Sequence, residues 1–373
     1  MTTIERLCAA MESIAPSRLA EEWDNVGLLL GSMRDPARRI VLAIDLTEPV
    51  LDEAIERRCD ALVAYHPPIF EPIKRLTDER SKARIVLRAA RAGIAIYSPH
   101  TALDAAAGGV NDWLAEGAGA GDVRALTAHA SAPAGETRKI ITFCPAEAVD
   151  RVRQALSTVG AGRMGNYELC SFTVAGEGTF LGNEASTPAV GERGRLERVP
   201  EVRLEMVCPA ASLPLALATL RHFHPYEEPP IEIHELLPRP DRTIGAGRRI
   251  VLDRPVALKE LAERVRTHLG VPRLDVAPAG DGPIAVVGVC AGSGKGLLAT
   301  AVAQGCTAYL TGEMGHHDVL AAQAEGCAVL LAGHTETERG YLPRLRDRLA
   351  AALADVEVMV AGRDVAPAMQ AHQ

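Results

Sequence analysis

Apolar positions in this chain fall into short continuous runs separated by stretches of helical periodicity. In the first third, "RRIVLAIDL" (38–46), "CDALVAYH" (59–66) and "IAIYSPH" (94–100) are runs with few polar interruptions, the pattern of strands buried on both faces. Between them, "PVLDEAIERR" (49–58) sets Val50, Leu51, Ala54 and Ile55 on one helical stripe, and "SKARIVLRAARAG" (81–93) reads as a second helix. Alternating strands and helices predict a largely parallel, two-sided sheet, whose ligands gather beyond the carboxyl ends of its strands.

At "AHASAPAGETR" (128–138) the pattern lapses into small, polar and Pro/Gly positions, which predicts a linker. A different order follows: strand 138–145, helix 146–160 with Val149, Val152, Leu156 and Val159 on its stripe, strand 170–178, strand 201–209, helix 211–225 and strand 231–238. β-α-β-β-α-β is the order of a ferredoxin-like split unit. The alternation then resumes with "PIAVVGVCAG", "GCTAYLTGE", "GCAVLLAGH" and "VEVMVAG", and a last helix carries Leu342, Leu345, Leu349 and Leu353 at helical spacing. The predicted organisation is one α/β core built from both ends of the chain, 1–130 and 245–373, interrupted by an inserted α+β domain over 137–240.

Composition narrows the function classes. A length of 373 residues accommodates two or three domains. The formal charge of -8 and the 3% aromatic content argue against a basic, stacking nucleic-acid groove. No apolar run reaches the 18 or so residues of a membrane span, and the N-terminus lacks the apolar core of a signal peptide. The eight cysteines form no CxxC pair and sit mostly in apolar runs, as reduced core thiols of a cytoplasmic protein do.

Chemistry concentrates at strand ends. His66 closes a strand and is followed by Pro67 and Pro68, which fix the backbone around it. His100 follows another strand, with Asp104 four residues on. In "AGHTETERG" (332–340), His334 and Glu338 stand one helical turn apart, a spacing that lets imidazole and carboxylate face one metal ion. The same segment has an equally good reading as a T-x-x-E capping box made by Thr335 and Glu338. A fourth junction, "LTGEMGHHDVL", offers Glu313, His316, His317 and Asp318, with His317 a candidate for supporting or substrate contacts. "CAGSGKGLL" (290–298) looks like a phosphate loop but has Val289 and Gly296 where a Walker A loop requires Gly and Ser or Thr. It reads better as a tight Gly-rich turn.

Taken in order, "EEWDNVGLLLGS", "YHPPIF", "HTALD", "LTGEMGHHDVL" and "GHTETERG" resemble the Nif-three-like dinuclear-metal-centre proteins, also described as GTP cyclohydrolase I type 2 homologues. The segment 160–180 with "HPYEEPPIEI" is similar to the insertion of the longer bacterial members, which resembles CutA-like and PII-like sensor domains. The resemblance implies a Nif-three-like α/β core, metal ligands at His66, Asp104, His334 and Glu338, and one or two divalent ions per subunit. Zn, Mn, Fe and Co all accept such a donor set. Many members carry two adjacent histidines where this chain has Tyr65-His66, so Tyr65 replaces a ligand of the second metal or leaves it missing, and Tyr65, His100 and His317 are the supporting candidates. A homohexamer and a small-molecule substrate, with nucleotides as candidates, are further implications. The implied activity is metal-dependent hydrolysis, with GTP cyclohydrolase as the named reaction. The alternative is a metal-binding sensor or assembly protein whose insert reads a small ligand.

Overall fold

The computed structural model describes residues 2–131 and 136–366. It divides into two compact units, one formed by 1–129 with 241–373 and the other by 130–240. The strands, in chain order, are β1 (Gly27–Leu30), β2 (Arg39–Ala43), β3 (Ala61–Ala64), β4 (Ala95–Ser98), β5 (Gly121–Ser131), β6 (Arg138–Cys144), β7 (Phe172–Leu181), β8 (Leu196–Cys208), β9 (Ile231–Glu235), β10 (Arg239–Val256), β11 (Asp275–Ala277), β12 (Ile284–Ser293), β13 (Ala308–Glu313), β14 (Ala328–Leu331) and β15 (Glu357–Val360).

The larger unit, the α/β core built from both chain ends, holds two sheets. One runs β1-β4-β3-β2-β15 and the other β11-β14-β13-β12-β10-β5. In the first, β15, β2, β3 and β4 are parallel, so the C-terminal strand completes a sheet begun by the N-terminus. In the second, β12, β13 and β14 are parallel while β10 and β11 run antiparallel.

Side-chain alternation explains why these strands read as continuous apolar runs. Along β2, Ile40 and Leu42 enter one apolar cluster while Val41 and Ala43 enter another, because successive residues point to opposite faces. The cluster containing Ile40, Leu42, Val63 and Tyr97 also contains Val287, Val289, Leu310 and Leu330 of the second sheet. One apolar layer therefore joins the two sheets, with further clusters on their other faces. On the helix Glu48–Glu56, Val50, Leu51 and Ala54 are buried as the stripe requires, but Ile55 is exposed.

The smaller unit has sheet order β7-β8-β6-β9, antiparallel throughout, with helices Val149–Thr158 and Leu213–Phe223 supplying Val152, Leu156, Ala216 and Leu220 to its core. The expected linker differs in detail. Its first residues continue β5 to Ser131, and 132–135 lie outside the described residues. Among the described residues, no helix is long and apolar enough to cross a membrane.

Candidate metal centre

All the junctions singled out in the sequence lie in the larger unit. His66 follows β3, His100 follows β4, Gly292 lies at the end of β12, Glu313 closes β13 and His334 follows β14. The carboxyl ends of parallel strands thus deliver the polar side chains, as the α/β pattern predicts.

His66, His334 and Glu338 converge, with one ligand-type atom from each within 4.8 Å of the others, a grouping that can hold a metal ion. His66 Nε2 lies 3.5 Å from Glu338 Oε2, and His334 Nε2 lies 3.4 Å from Glu338 Oε1. The opposite ring nitrogens are held by carboxylates: His66 Nδ1 is 3.0 Å from Asp45 Oδ1 and His334 Nδ1 is 2.9 Å from Glu313 Oε1. A carboxylate can only accept, so each Nδ1 carries its proton, and a neutral ring presents the Nε2 lone pair to the centre. Glu338 is 3% exposed, and its buried Oε2 has no well-formed hydrogen bond. A buried carboxylate whose two oxygens each face an imidazole nitrogen, one of them without a hydrogen-bond donor, fits a cation.

The backbone leaves room for this. Gly292 has φ +62, and a Cβ there would sit 2.6 Å from Glu338 Oε1 and 3.1 Å from His334 Nε2. The Gly-rich turn therefore lets the chain pass against the centre. Its N–H donates to the Thr337 hydroxyl at 2.9 Å, and that hydroxyl donates to the His334 carbonyl at 2.7 Å. The expected capping box is not made. Thr335 precedes the short helix Glu336–Arg339 but forms no capping hydrogen bond, because the Glu338 carboxylate turns to the histidines and Thr337 ties the turn to Gly292.

Asp104 is not in the group of three. Its carboxylate accepts a hydrogen bond from the Tyr65 hydroxyl, and it lines a cavity of about 450 Å³ with His100, His334 and Glu338. Burial raises the Asp104 pKa to about 7, with the Glu338 charge adding to the rise and the Tyr65 hydrogen bond opposing it. Burial also pushes the Tyr65 phenol well above its ordinary value, and the Asp104 and Glu338 charges act in the same direction. The Tyr65 hydroxyl thus donates to Asp104 and orients its carboxylate. His66 shows the opposite balance: burial lowers its pKa, but Asp45 and Glu338 outweigh it and raise the value to about 10.

His100 repeats the anchored-imidazole arrangement. Its Nδ1 lies 2.8 Å from Asp24 Oδ1, the Thr101 N–H donates to the other oxygen of Asp24, and its ring centroid is 5.4 Å from that of His66. The His100 backbone has φ +26, a conformation few non-glycine residues adopt and one that recurs at functional sites. His317 is not brought in. It is exposed beside His316, and the group that supports His334 is Glu313 from the end of the preceding strand.

The Duf34/NIF3 (NGG1p interacting factor 3) family model matches residues 2–367. The chain belongs to this family. It is 33% identical over 344 residues to a protein of Halalkalibacterium halodurans named GTP cyclohydrolase 1 type 2 homolog, covering 92% of this chain and 91% of that one. NIF3-like protein 1 of Bos taurus is 35% identical over 362 residues, covering 94% and 87%. Among solved structures, a Bacillus cereus protein related to NIF3 superposes with a TM-score of 0.68 at 32% identity, over 99% of both chains. A Staphylococcus aureus protein gives 0.76 at 25% identity, also over 99% of both.

Proposed function

We propose that this NIF3-family chain is a cytoplasmic metal-dependent hydrolase, with GTP cyclohydrolase chemistry as the candidate reaction suggested by the names of its relatives. The observation that carries the reading is the buried Glu338 carboxylate facing the Nε2 atoms of His66 and His334, each imidazole fixed from behind by a carboxylate. In this reading His66, His334 and Glu338 are ligands of a divalent cation. Asp104, lining the same cavity and held by Tyr65, completes the set. One or two ions of the Zn, Mn, Fe or Co type suit the mixed imidazole and carboxylate donors.

A divalent cation in such a site supplies Lewis acidity and brings the ionisation of water toward neutral pH. The protein's part is positional. Asp45 and Glu313 set the tautomer and the angle of the two imidazoles, Thr337 holds the turn that carries His334, and Tyr65 directs Asp104. The cavity beside them has room for a small substrate, and the exposed Trp23, whose ring meets His100 edge-on at 6.0 Å, stands at its rim.

The same reading includes assembly as a homohexamer, and kinship of the 130–240 unit with CutA-like and PII-like sensors. Support for the kinship is the β-α-β-β-α-β order and the sheet order β7-β8-β6-β9. The deciding experiment is elemental analysis of the chain purified without added metal, paired with a turnover screen of GTP, other nucleotides and phosphoesters. Bound transition metal, and turnover lost in His334→Ala, support the hydrolase. Metal-free protein whose turnover is indifferent to His334 removes it, and light scattering at a mass other than six chains removes the hexamer.

A further inference from the structure

A second cavity lies wholly within the 130–240 unit, and its chemistry differs from that of the metal centre. Its volume is about 280 Å³, and its walls include Phe180, Pro188, Val190, Glu201, Tyr226 and Glu227. The strand β7 makes space for one of these. A Cβ on Gly178 would stand 2.1 Å from Glu201 Oε2, so the carboxylate lies where a side chain on β7 would otherwise be. The segment carrying Pro188 is tied down by the Thr187 N–H, which donates to Glu227 Oε2 at 3.0 Å.

The polar end of this cavity lacks a positive partner. Among the described residues, Glu201 takes part in no ion pair of 4 Å or less, although its neighbours Arg203 and Arg198 pair with Glu205 and Glu177. Tyr226 places its hydroxyl beside Glu201, and that oxygen is buried with no hydrogen bond of good geometry. His224, the nearest base on the same segment, cannot supply a cation without losing a contact. Its Nε2 bonds the Phe143 carbonyl at 3.1 Å, so it carries the proton, while Nδ1 accepts the Tyr226 N–H at 3.1 Å. Both nitrogens are satisfied in the neutral ring.

A carboxylate without an ion-pair partner, a phenol oxygen beside it without a hydrogen bond of good geometry, and aromatic and aliphatic walls form a consistent set. The carboxylate attracts a cation, the phenol oxygen can accept its N–H, the ring faces of Tyr226 and Phe180 suit a cationic head, and the apolar walls suit a short hydrocarbon stem. We propose that this cavity is a binding site for a small organic cation, an ammonium or guanidinium head on an apolar stem, held by Glu201 and Tyr226. The proposal is independent of the metal centre and stands or falls apart from it.

The test uses the full chain and a probe panel of n-butylammonium, putrescine, agmatine and tetramethylammonium, with magnesium ion, 2-oxoglutarate and GTP as contrasts. Binding is read by calorimetry and by ligand-induced melting shifts, in metal-stripped and metal-loaded protein. At least one organic cation should bind with equal affinity in both preparations. Glu201→Gln should weaken it at least tenfold while leaving the melting temperature of the free protein within about 2 °C, and Tyr226→Phe should weaken it severalfold. If Glu201→Gln fails to fold, Tyr226→Phe and Gly178→Val, which intrudes on the carboxylate, carry the test. Binding of none of the cations, binding unchanged in these variants, or an equal response to magnesium ion or to the anions would overturn the proposal.

Discussion

The Tyr65 hydroxyl, just past β3, donates to the Asp104 carboxylate on the short helix His100–Ala105 that follows β4, at a position where many relatives are expected to carry a second histidine. A phenol whose pKa is raised by burial and two carboxylates is a donor to Asp104 and a poor ligand. The expected outcome of a metal titration is two unequal steps, with the weaker one tightened in Tyr65→His and little changed in Tyr65→Phe. Two ions bound equally tightly by the unmodified protein would contradict the assignment.

Thr335 and Thr337 separate the two readings of "GHTETERG". The Thr335 hydroxyl makes no cap, whereas Thr337 is fully buried and bridges the Gly292 N–H and the His334 carbonyl. Removing a buried partner leaves a desolvated donor behind, at a cost of about 1–3 kcal/mol. Thr337→Ala should therefore destabilise by that amount and Thr335→Ala, whose hydroxyl reaches only Glu336 Oε2 at 3.4 Å, by less, as measured by denaturant unfolding of metal-free protein. In parallel, Glu338→Gln and His334→Ala should lose bound metal and the rise in melting temperature that added metal gives the unmodified protein. Retained metal in both variants would return the segment to a purely structural role.

The strand-end histidines were legible because each follows an apolar run closed by Gly or Pro, and Glu338 because it lies one turn after His334. Glu313 was legible as one of four residues at its junction, where His317 was preferred to it, whereas Asp45 and Asp24 were not legible, since they come from segments whose sequence distance from their histidines carries no periodic signal. The second sheet was hidden for a related reason: β10 and β11 are joined to it by antiparallel pairing that runs of apolar residues do not encode. The capping box failed because a local motif competed with a buried tertiary contact, and the tertiary contact prevailed.

The carboxylates behind the imidazoles give a graded prediction. Asp45→Asn keeps a side chain of the same shape but removes the charge that fixes the His66 tautomer, and so should lower metal affinity about 10–100-fold without abolishing binding. Glu313→Gln should act the same way through His334, more weakly, because Glu313 is exposed to solvent. Competition with a fluorescent chelator measures both. An affinity unchanged in Asp45→Asn would show that His66 is not a ligand.

Stability of the metal-free protein should fall with rising pH in two stages. Asp104 has a folded pKa raised from 3.8 to about 7, so its contribution is full below 3.8 and is lost as pH rises through 7. His66 is raised from 6.5 to about 10, so its contribution is full below 6.5 and is lost as pH rises through 10. A cation needs the deprotonated forms of both, so the metal-induced rise in melting temperature should grow over the same range. Melting curves of chelator-treated protein from pH 4 to 10, with and without Zn²⁺ or Mn²⁺, give both slopes. A metal-free protein that becomes more stable between pH 7 and 10 would contradict the His66 assignment.

Arg248 links the smaller details of the site to the stability of the core. It is 0% exposed, with Nε 2.6 Å from Asp112 Oδ1, and its guanidinium also donates to the carbonyls of Ala105, Ala106, Thr243, Gly245 and Gly247. Two of those carbonyls directly follow Asp104, and the Asn111 side chain joins the same turn to β12 by bonding the Asp104 carbonyl and the Ala291 N–H. A buried fork with this many acceptors has no equivalent in a lysine. Arg248→Met, which leaves Asp112 and the carbonyls unpaired, should destabilise by about 3–5 kcal/mol, and Arg248→Lys by a large part of that. Because the turn after Asp104 would lose its anchor, Arg248→Lys should also bind less metal under conditions where circular dichroism shows it folded. If Arg248→Lys folds and binds the full metal complement, the guanidinium serves the core alone and Asp104 is positioned by Tyr65 and Asn111.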